Sequence, residues 1–197
     1  MIDWTNIKKI DAHIHLMPPD VIEANKEYGG NFIDFGDVED YLKIMDKYNI
    51  ESAFIMPFND PYMLSMDFNV CTVHNNLLDM CSPTRIKNII KKYPKLSMSI
   101  AHIGGFQYEE LTDLGLFFNI SAILPDLVDK YGIAGTNKIL RRLDVEKLVF
   151  ATDYPDNRKL EPIEIYDKYF EILSQMDFSE EEAEKICRLN ALKMINK

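Results

Sequence analysis

Short apolar runs alternate with helical patterns along the whole of this 197-residue chain. A strand is predicted where such a run is rich in β-branched residues, and most of these runs are closed by Pro, Gly, Asp or Asn. Because neighbouring parallel strands need a long crossover connection, this alternation predicts a parallel sheet built from βαβ units. The predicted strands are residues 7–15, 50–56, 96–102, 116–121 and 147–153.

The helices between these strands are predicted from apolar spacing and capping residues. In segment 38–48, which Asp37 could cap, the predicted buried face is Val38, Leu42, Met45 and Tyr48. The pair Ser82-Pro83 is typical of a helix start, and the apolar positions after it are Ile86, Ile89, Ile90 and Tyr93. Residues 162–176 form another predicted helix, and Ser179 with Glu182 has capping-box spacing before a last one.

Composition narrows the class of protein. Hydrophobic residues make up 47% of the chain and charged residues 27%, which is typical of a globular domain, and the length suits a single one. A net charge of −10 disfavours nucleic acid and anionic membranes as partners. No run approaches the roughly 18 apolar residues of a membrane span, and the start lacks signal-peptide character. Three cysteines without Cys-x-x-Cys spacing favour reduced thiols, so the expected location is the cytoplasm.

The first predicted strand ends in two histidines, His13 and His15. Side chains alternate along a strand, so these two imidazoles lie on the same face and could bind one divalent metal ion. The simpler interpretation is a pair of surface histidines on a half-buried strand. The motif alone does not decide between the two.

Two further strands end in residues of the same chemistry. His102 ends the run 96–102 before two glycines, and Asp153 follows the apolar run 148–152. His102 alone could be a hydrogen-bonded core histidine, and Asp153 alone could be a turn or capping residue. A barrel, however, brings the carboxyl ends of its strands to one rim, where these four side chains would meet.

These segments, in this order, resemble the amidohydrolase superfamily. The matching motifs are Asp11-x-His13-x-His15, His102-Ile-Gly-Gly and Thr152-Asp153-Tyr-Pro, and the end of the chain is similar to that family's closing helix. The most similar branch contains small metal-dependent hydrolases and aminocarboxymuconate-semialdehyde-type decarboxylases. The resemblance implies a (β/α) TIM-type barrel with His13, His15 and Asp153 as metal ligands. It also implies that Asp153 shuttles a proton and that His102 binds the metal or polarises the reacting group.

The chain is short for this family. A full barrel usually takes about 250 residues, and only five strands are evident here. We therefore expect one shortened or incomplete barrel over residues 1–197, with a deletion around residues 66–82. His74 lies in that region. In a strand 70–74 it would be a further metal ligand, whereas the apolar spacing from Met66 to Met80 favours a helix with His74 away from the metal.

The expected activity is hydrolysis, by metal-activated water, of an amide, ester or lactone-like bond in a small molecule. The alternatives are a metal-dependent decarboxylase of the same superfamily and an inactive remnant that binds metal or a partner. Zinc suits imidazole and carboxylate ligands, with manganese or iron as alternatives. A shortened barrel would leave a strand edge open, so a homodimer is a further expectation.

Overall fold

The computed structural model describes residues 2–16, 38–56, 82–155 and 162–196 of the chain. All five predicted strands are present in these ranges, although three of them are only two or three residues long. Residues of β1, β4 and β5 are all buried, as expected for a parallel sheet covered by helices, whereas β2 is only partly buried. The strands are β1 (Lys9–Ile14), β2 (Ile50–Ile55), β3 (Ser99–Ile100), β4 (Phe117–Asn119) and β5 (Leu148–Val149).

The five strands form one parallel arc in the order β3-β4-β5-β1-β2. Strand pairing joins β1 to β2 and β4 to both β3 and β5. Backbone hydrogen bonds beyond the end of β5 then join it to β1, from Ala12 N to Phe150 O (3.0 Å) and from Asp153 N to His13 O (2.9 Å). Among the described residues no strand connects β2 to β3, so the arc they form is open.

Helices cover this arc and confirm the predicted capping signals. Ser82 accepts a hydrogen bond from Arg85 N, and Ser179 and Glu182 form the predicted capping box. The described ranges contain six α-helices, which are α1 (Val38–Tyr48), α2 (Pro83–Lys92), α3 (Ile123–Arg142), α4 (Pro162–Ser174), α5 (Glu180–Glu184) and α6 (Asn190–Ile195). A π-helical turn at Lys185–Leu189 joins α5 to α6.

The predicted buried faces of the first two helices were partly wrong. In α1 the buried residues are Tyr41, Ile44 and Tyr48, whereas Val38 and Leu42 are more than half exposed. The tyrosines pack among other rings of the core, so their large apolar area decides which face of the helix is buried. In α2, Ile86 is buried while Ile89 and Tyr93 are exposed.

The long helix α3 was not among the predicted elements. Its sequence contains Pro125, Gly132 and Gly135, which weaken the helical pattern. Gly132 has a φ of 66°, so the segment is two helical pieces joined at a kink. Packing of its apolar positions into the core, where it contacts α4, outweighs the poor local propensity.

Hydrogen bonds from Asn190, near the end of the chain, join the last helix to the segment around β5, which precedes Asp153. Asn190 is 2% exposed, and its Nδ2 donates to the carbonyls of Val145 (2.7 Å) and Leu148 (2.8 Å). These two bonds explain why an asparagine is buried in the closing segment. No helix within the described ranges is long and apolar enough to cross a membrane.

Candidate metal centre

His13, His15, His102 and Asp153 all lie at the carboxyl-terminal edge of the sheet. His13 and His15 are at the end of β1, and Asp153 follows β5 at a positive φ of 70°. The hydrogen bond from Asp153 N to His13 O, and that from His15 N to Tyr154 O (2.6 Å), hold the two chain segments side by side. The predicted meeting of these side chains at one rim is therefore observed.

His102 reaches the site through a left-handed turn after β3. His102, Ile103, Gly104 and Gly105 all have positive φ, a conformation that costs a residue with a Cβ about 1–2 kcal/mol. Gly104 has a second requirement, because a Cβ there would lie 2.8 Å from Cδ1 of Leu111. Backbone strain of this kind is concentrated at functional sites.

Three donor atoms form a compact triangle. Oδ1 of Asp153 lies 3.1 Å from Nε2 of His13 and 3.1 Å from Nε2 of His15. The two Nε2 atoms are 3.2 Å apart. A ring nitrogen of His102 is within 4.8 Å of the donor atoms of His13 and Asp153. Asp153 and His13 are buried.

Hydrogen bonds to main-chain carbonyls define the tautomers of two histidines. Nδ1 of His15 lies 2.9 Å from the carbonyl oxygen of Met56, and Nδ1 of His102 lies 2.8 Å from that of Ser121. A carbonyl oxygen only accepts, so each Nδ1 carries the proton and each neutral ring has its lone pair on Nε2. A histidine that binds a metal through one ring nitrogen commonly donates such a bond from the other.

Asp11 joins the two strands that hold the site. It is fully buried, and its Oδ1 accepts from the backbone N–H groups of His13 (3.2 Å) and Thr152 (3.1 Å). Its Oδ2 accepts from the hydroxyls of Thr152 (2.6 Å) and Tyr166 (2.7 Å). Burial raises the pKa of Asp11 to about 6, while these hydrogen bonds act in the other direction.

Asp153 is held as a carboxylate. Burial by itself would raise its pKa, but the imidazoles of His13, His15 and His102 beside it hold that pKa well below its usual range. A buried, ionised carboxylate must be paired with positive charge or bound to a metal.

The donor set fits a divalent ion. Ligands at the 2.0–2.1 Å typical of zinc are about 3.3–3.4 Å apart in a tetrahedral site, close to the observed separations. Two imidazoles and a carboxylate are also ligands that zinc prefers. His15, whose Nε2 has the lone pair, could bind the ion without losing its bond to Met56.

Of the predicted site residues, the structure brings together His13, His15, His102 and Asp153. His74, and most of the proposed deletion at 66–82, lie outside the described residues. Sequence reasoning missed Asn119 and Ser121, which bond to His102, and the connecting role of Asp11. The rule that identified His102 could have found Ser121, which ends the predicted strand 116–121, whereas Asn119 ends only the shorter strand of the structure.

The sequence model of the amidohydrolase family matches residues 66–197. The chain belongs to the amidohydrolase family. Its matched part holds His102 and Asp153, and the His-x-His pair precedes it. No protein of curated function matches the sequence of this amidohydrolase.

Solved structures show the same fold across this amidohydrolase. One is a Pseudomonas putida protein whose proposed activity is hydrolysis of 2-pyrone-4,6-dicarboxylic acid. It is 12% identical in sequence with a TM-score of 0.62, and the match covers 97% of this chain and 98% of the other. The 2,6-dihydroxybenzoate decarboxylase from Rhizobium is 12% identical with a TM-score of 0.61, over 96% and 98%. An amidohydrolase from Burkholderia multivorans with bound zinc is 10% identical with a TM-score of 0.62, over 96% and 99%.

Proposed function

We propose that this amidohydrolase is a metal-dependent hydrolase that cleaves an amide, ester or lactone-like bond of a small molecule. The observation that carries the proposal is the 3.1 Å separation between Nε2 of His15 and Oδ1 of Asp153. Nδ1 of His15 is already bonded to Met56, so Nε2 is the ring atom that faces the carboxylate. A metal ion bound by both atoms would account for this short separation.

His13, His15 and Asp153 would hold the ion, and zinc is the metal that we propose, with manganese or iron as alternatives. When bound, such an ion acts as a Lewis acid toward a carbonyl and lowers the pKa of water to about 7. The bound zinc of the Burkholderia multivorans relative supports this choice.

The side chains around the ion have separate tasks in this proposal. Asp153, an ionised carboxylate, accepts a proton from the attacking water and later delivers it to the leaving group. Ser121 orients His102. When His102 carries a proton on Nε2, it is placed to donate a hydrogen bond to the substrate oxygen that gains negative charge. The buried surroundings strengthen both interactions, because they exclude water.

The first experiment measures zinc after reconstitution of the purified protein. We expect about one equivalent in the wild type and its loss in His15→Ala. Less than about a tenth of an equivalent in the wild type would overturn the proposal, since a structural or catalytic site should retain its ion.

The second experiment measures turnover. Acid release from a panel of esters, lactones and amides is expected to fall about 10²–10⁴-fold in Asp153→Asn. Asp129→Asn is the matched control, because Asp129 is exposed on α3. Carbon dioxide release from aromatic carboxylates, without hydrolysis, would instead establish a decarboxylase, the activity of the Rhizobium relative. Zinc binding without either reaction would indicate an inactive metal-binding remnant.

A further inference from the structure

The side chain of Asn119, at the end of β4, connects His102 and His13. It is 3% exposed, and its Oδ1 accepts from His102 N (3.1 Å) and from Ser121 Oγ (2.6 Å). Its Nδ2 lies 3.4 Å from Nδ1 of His13. A backbone N–H only donates, so the amide atom that faces His102 N must be the oxygen. The orientation of the amide is thereby settled, and its NH₂ group faces His13.

This orientation conflicts with what a ligating histidine requires. A neutral histidine that binds a metal through Nε2 carries its proton on Nδ1 and donates it to an acceptor. His15 has such an acceptor in the carbonyl of Met56. His13 instead meets an N–H donor, which favours the tautomer with the proton on Nε2. That proton can be donated to Oδ1 of Asp153, 3.1 Å away.

We propose that Asn119 is a positioning residue with two linked effects. It anchors the turn that carries His102, and it thereby weakens metal binding at His13. Its single carboxamide oxygen can accept a hydrogen bond from His102 N or from a proton on His13 Nδ1, but not from both. An aspartate at position 119 has two acceptor oxygens and could accept both hydrogen bonds. This inference rests on the proposed metal site, and it concerns the strength of that site.

The test compares the zinc dissociation constants of the wild type and Asn119→Asp, measured by competition with a chelator. We expect the variant to bind zinc about 10- to 100-fold more tightly, the usual effect of an outer-shell carboxylate on a ligating histidine. Equal or weaker binding by a variant that melts like the wild type would overturn the inference.

The same substitution in a His13→Ala background separates this effect from a general attraction of zinc to added negative charge. If Asn119 acts through His13, the gain in affinity should shrink to within about threefold when His13 is absent. If the full gain persists, the carboxylate acts by its charge alone and the inference is wrong.

A measurement on the metal-free protein completes the test. Correlations between the ring nitrogens and carbon-bound protons of the histidines, recorded near pH 8, report the tautomer of each neutral ring. We expect the proton of His13 on Nε2 in the wild type and on Nδ1 in Asn119→Asp, with His15 unchanged. A wild-type proton on Nδ1 would overturn the inference. Failure of the wild type to bind zinc would overturn the proposed function, and the tautomers would still test the assignment of Asn119.

Discussion

Nε2 of His15 lies 3.1 Å from Oδ1 of Asp153, although 138 residues separate them in the chain. The closeness arises because β1 and the segment after β5 are neighbours in the sheet. Asp11 strengthens the same junction, since its carboxyl bonds to backbone N–H groups of both segments. The residue two places before His13 therefore helps to determine how far the proposed metal ligands are from one another.

Removing the hydroxyl of Tyr166 should destabilise the protein. In Tyr166→Phe the buried Asp11 loses one of its four hydrogen-bond donors, and we expect the free energy of unfolding to fall by about 1–3 kcal/mol. Urea denaturation measures the loss. The matched control is Tyr131→Phe, at a ring that is 42% exposed, which should change stability by less than about 0.5 kcal/mol. Equal effects in the two variants would contradict the role assigned to Asp11.

A methyl group at Gly104 should disturb the turn that holds His102. Gly104→Ala adds a Cβ 2.8 Å from Leu111 at a φ of 81°, so it incurs both steric overlap and backbone strain. Gly115→Ala has a similar φ of 68° but nothing within 4 Å of the new Cβ, so it incurs strain of only about 1–2 kcal/mol. Chemical denaturation should show that Gly104→Ala lowers the free energy of unfolding more than Gly115→Ala does. If Gly115→Ala lowered it more, the overlap with Leu111 would cost no stability and the prediction would be wrong.

Substitution of His74 tests whether the site has a further ligand. We expect His74→Ala to keep the zinc dissociation constant within about threefold, because three protein ligands are sufficient for a catalytic zinc site. His15→Ala, measured beside it, should lose zinc. If His74→Ala weakened zinc affinity by more than about tenfold, the result would instead support the strand interpretation of residues 70–74.

Lys9 should make stability depend on pH in the alkaline range. Its side chain is fully buried at the start of β1, and burial lowers its pKa from 10.5 to about 8, against the attraction of Cys187 and Asp3. Between these two values the unfolded chain binds more protons than the folded one. The free energy of unfolding due to Lys9 should therefore rise with pH, by at most about 1.4 kcal/mol per pH unit. Well below pH 8, Lys9 is protonated in both the folded and the unfolded chain, so the stability gained from its lowered pKa is lost.

The control for this effect is Lys9→Met, which removes the titrating group. As the pH rises from 7.5 to 9.5, the free energy of unfolding of the wild type minus that of the variant should increase, by at most about 1.4 kcal/mol per pH unit. A constant difference would contradict the lowered pKa. The variant also removes donors from the carbonyls of Thr5, Ile7 and Tyr48, which lowers stability without changing the pH slope.

Sequence reasoning predicted the strands well because each is a local apolar run, and its capping predictions held because Ser82 and Ser179 bond within one helical turn. It was weaker on the buried face of α1, where tyrosines pack against rings from distant parts of the chain. It missed α3 because Pro125, Gly132 and Gly135 argue against a helix locally.

The sequence by itself determined the alternation of strands and helices, the order of the motifs and the candidate ligands at strand ends. These are local properties, since they depend on side-chain periodicity and on residues a few positions apart. Tertiary structure decided that His13, His15 and Asp153 form a triangle 3.1–3.2 Å on a side. It also decided that Met56, Ser121 and Asn119 face their rings. Such distances depend on strand register and on hydrogen bonds between segments 19 to 138 residues apart, which no local pattern encodes.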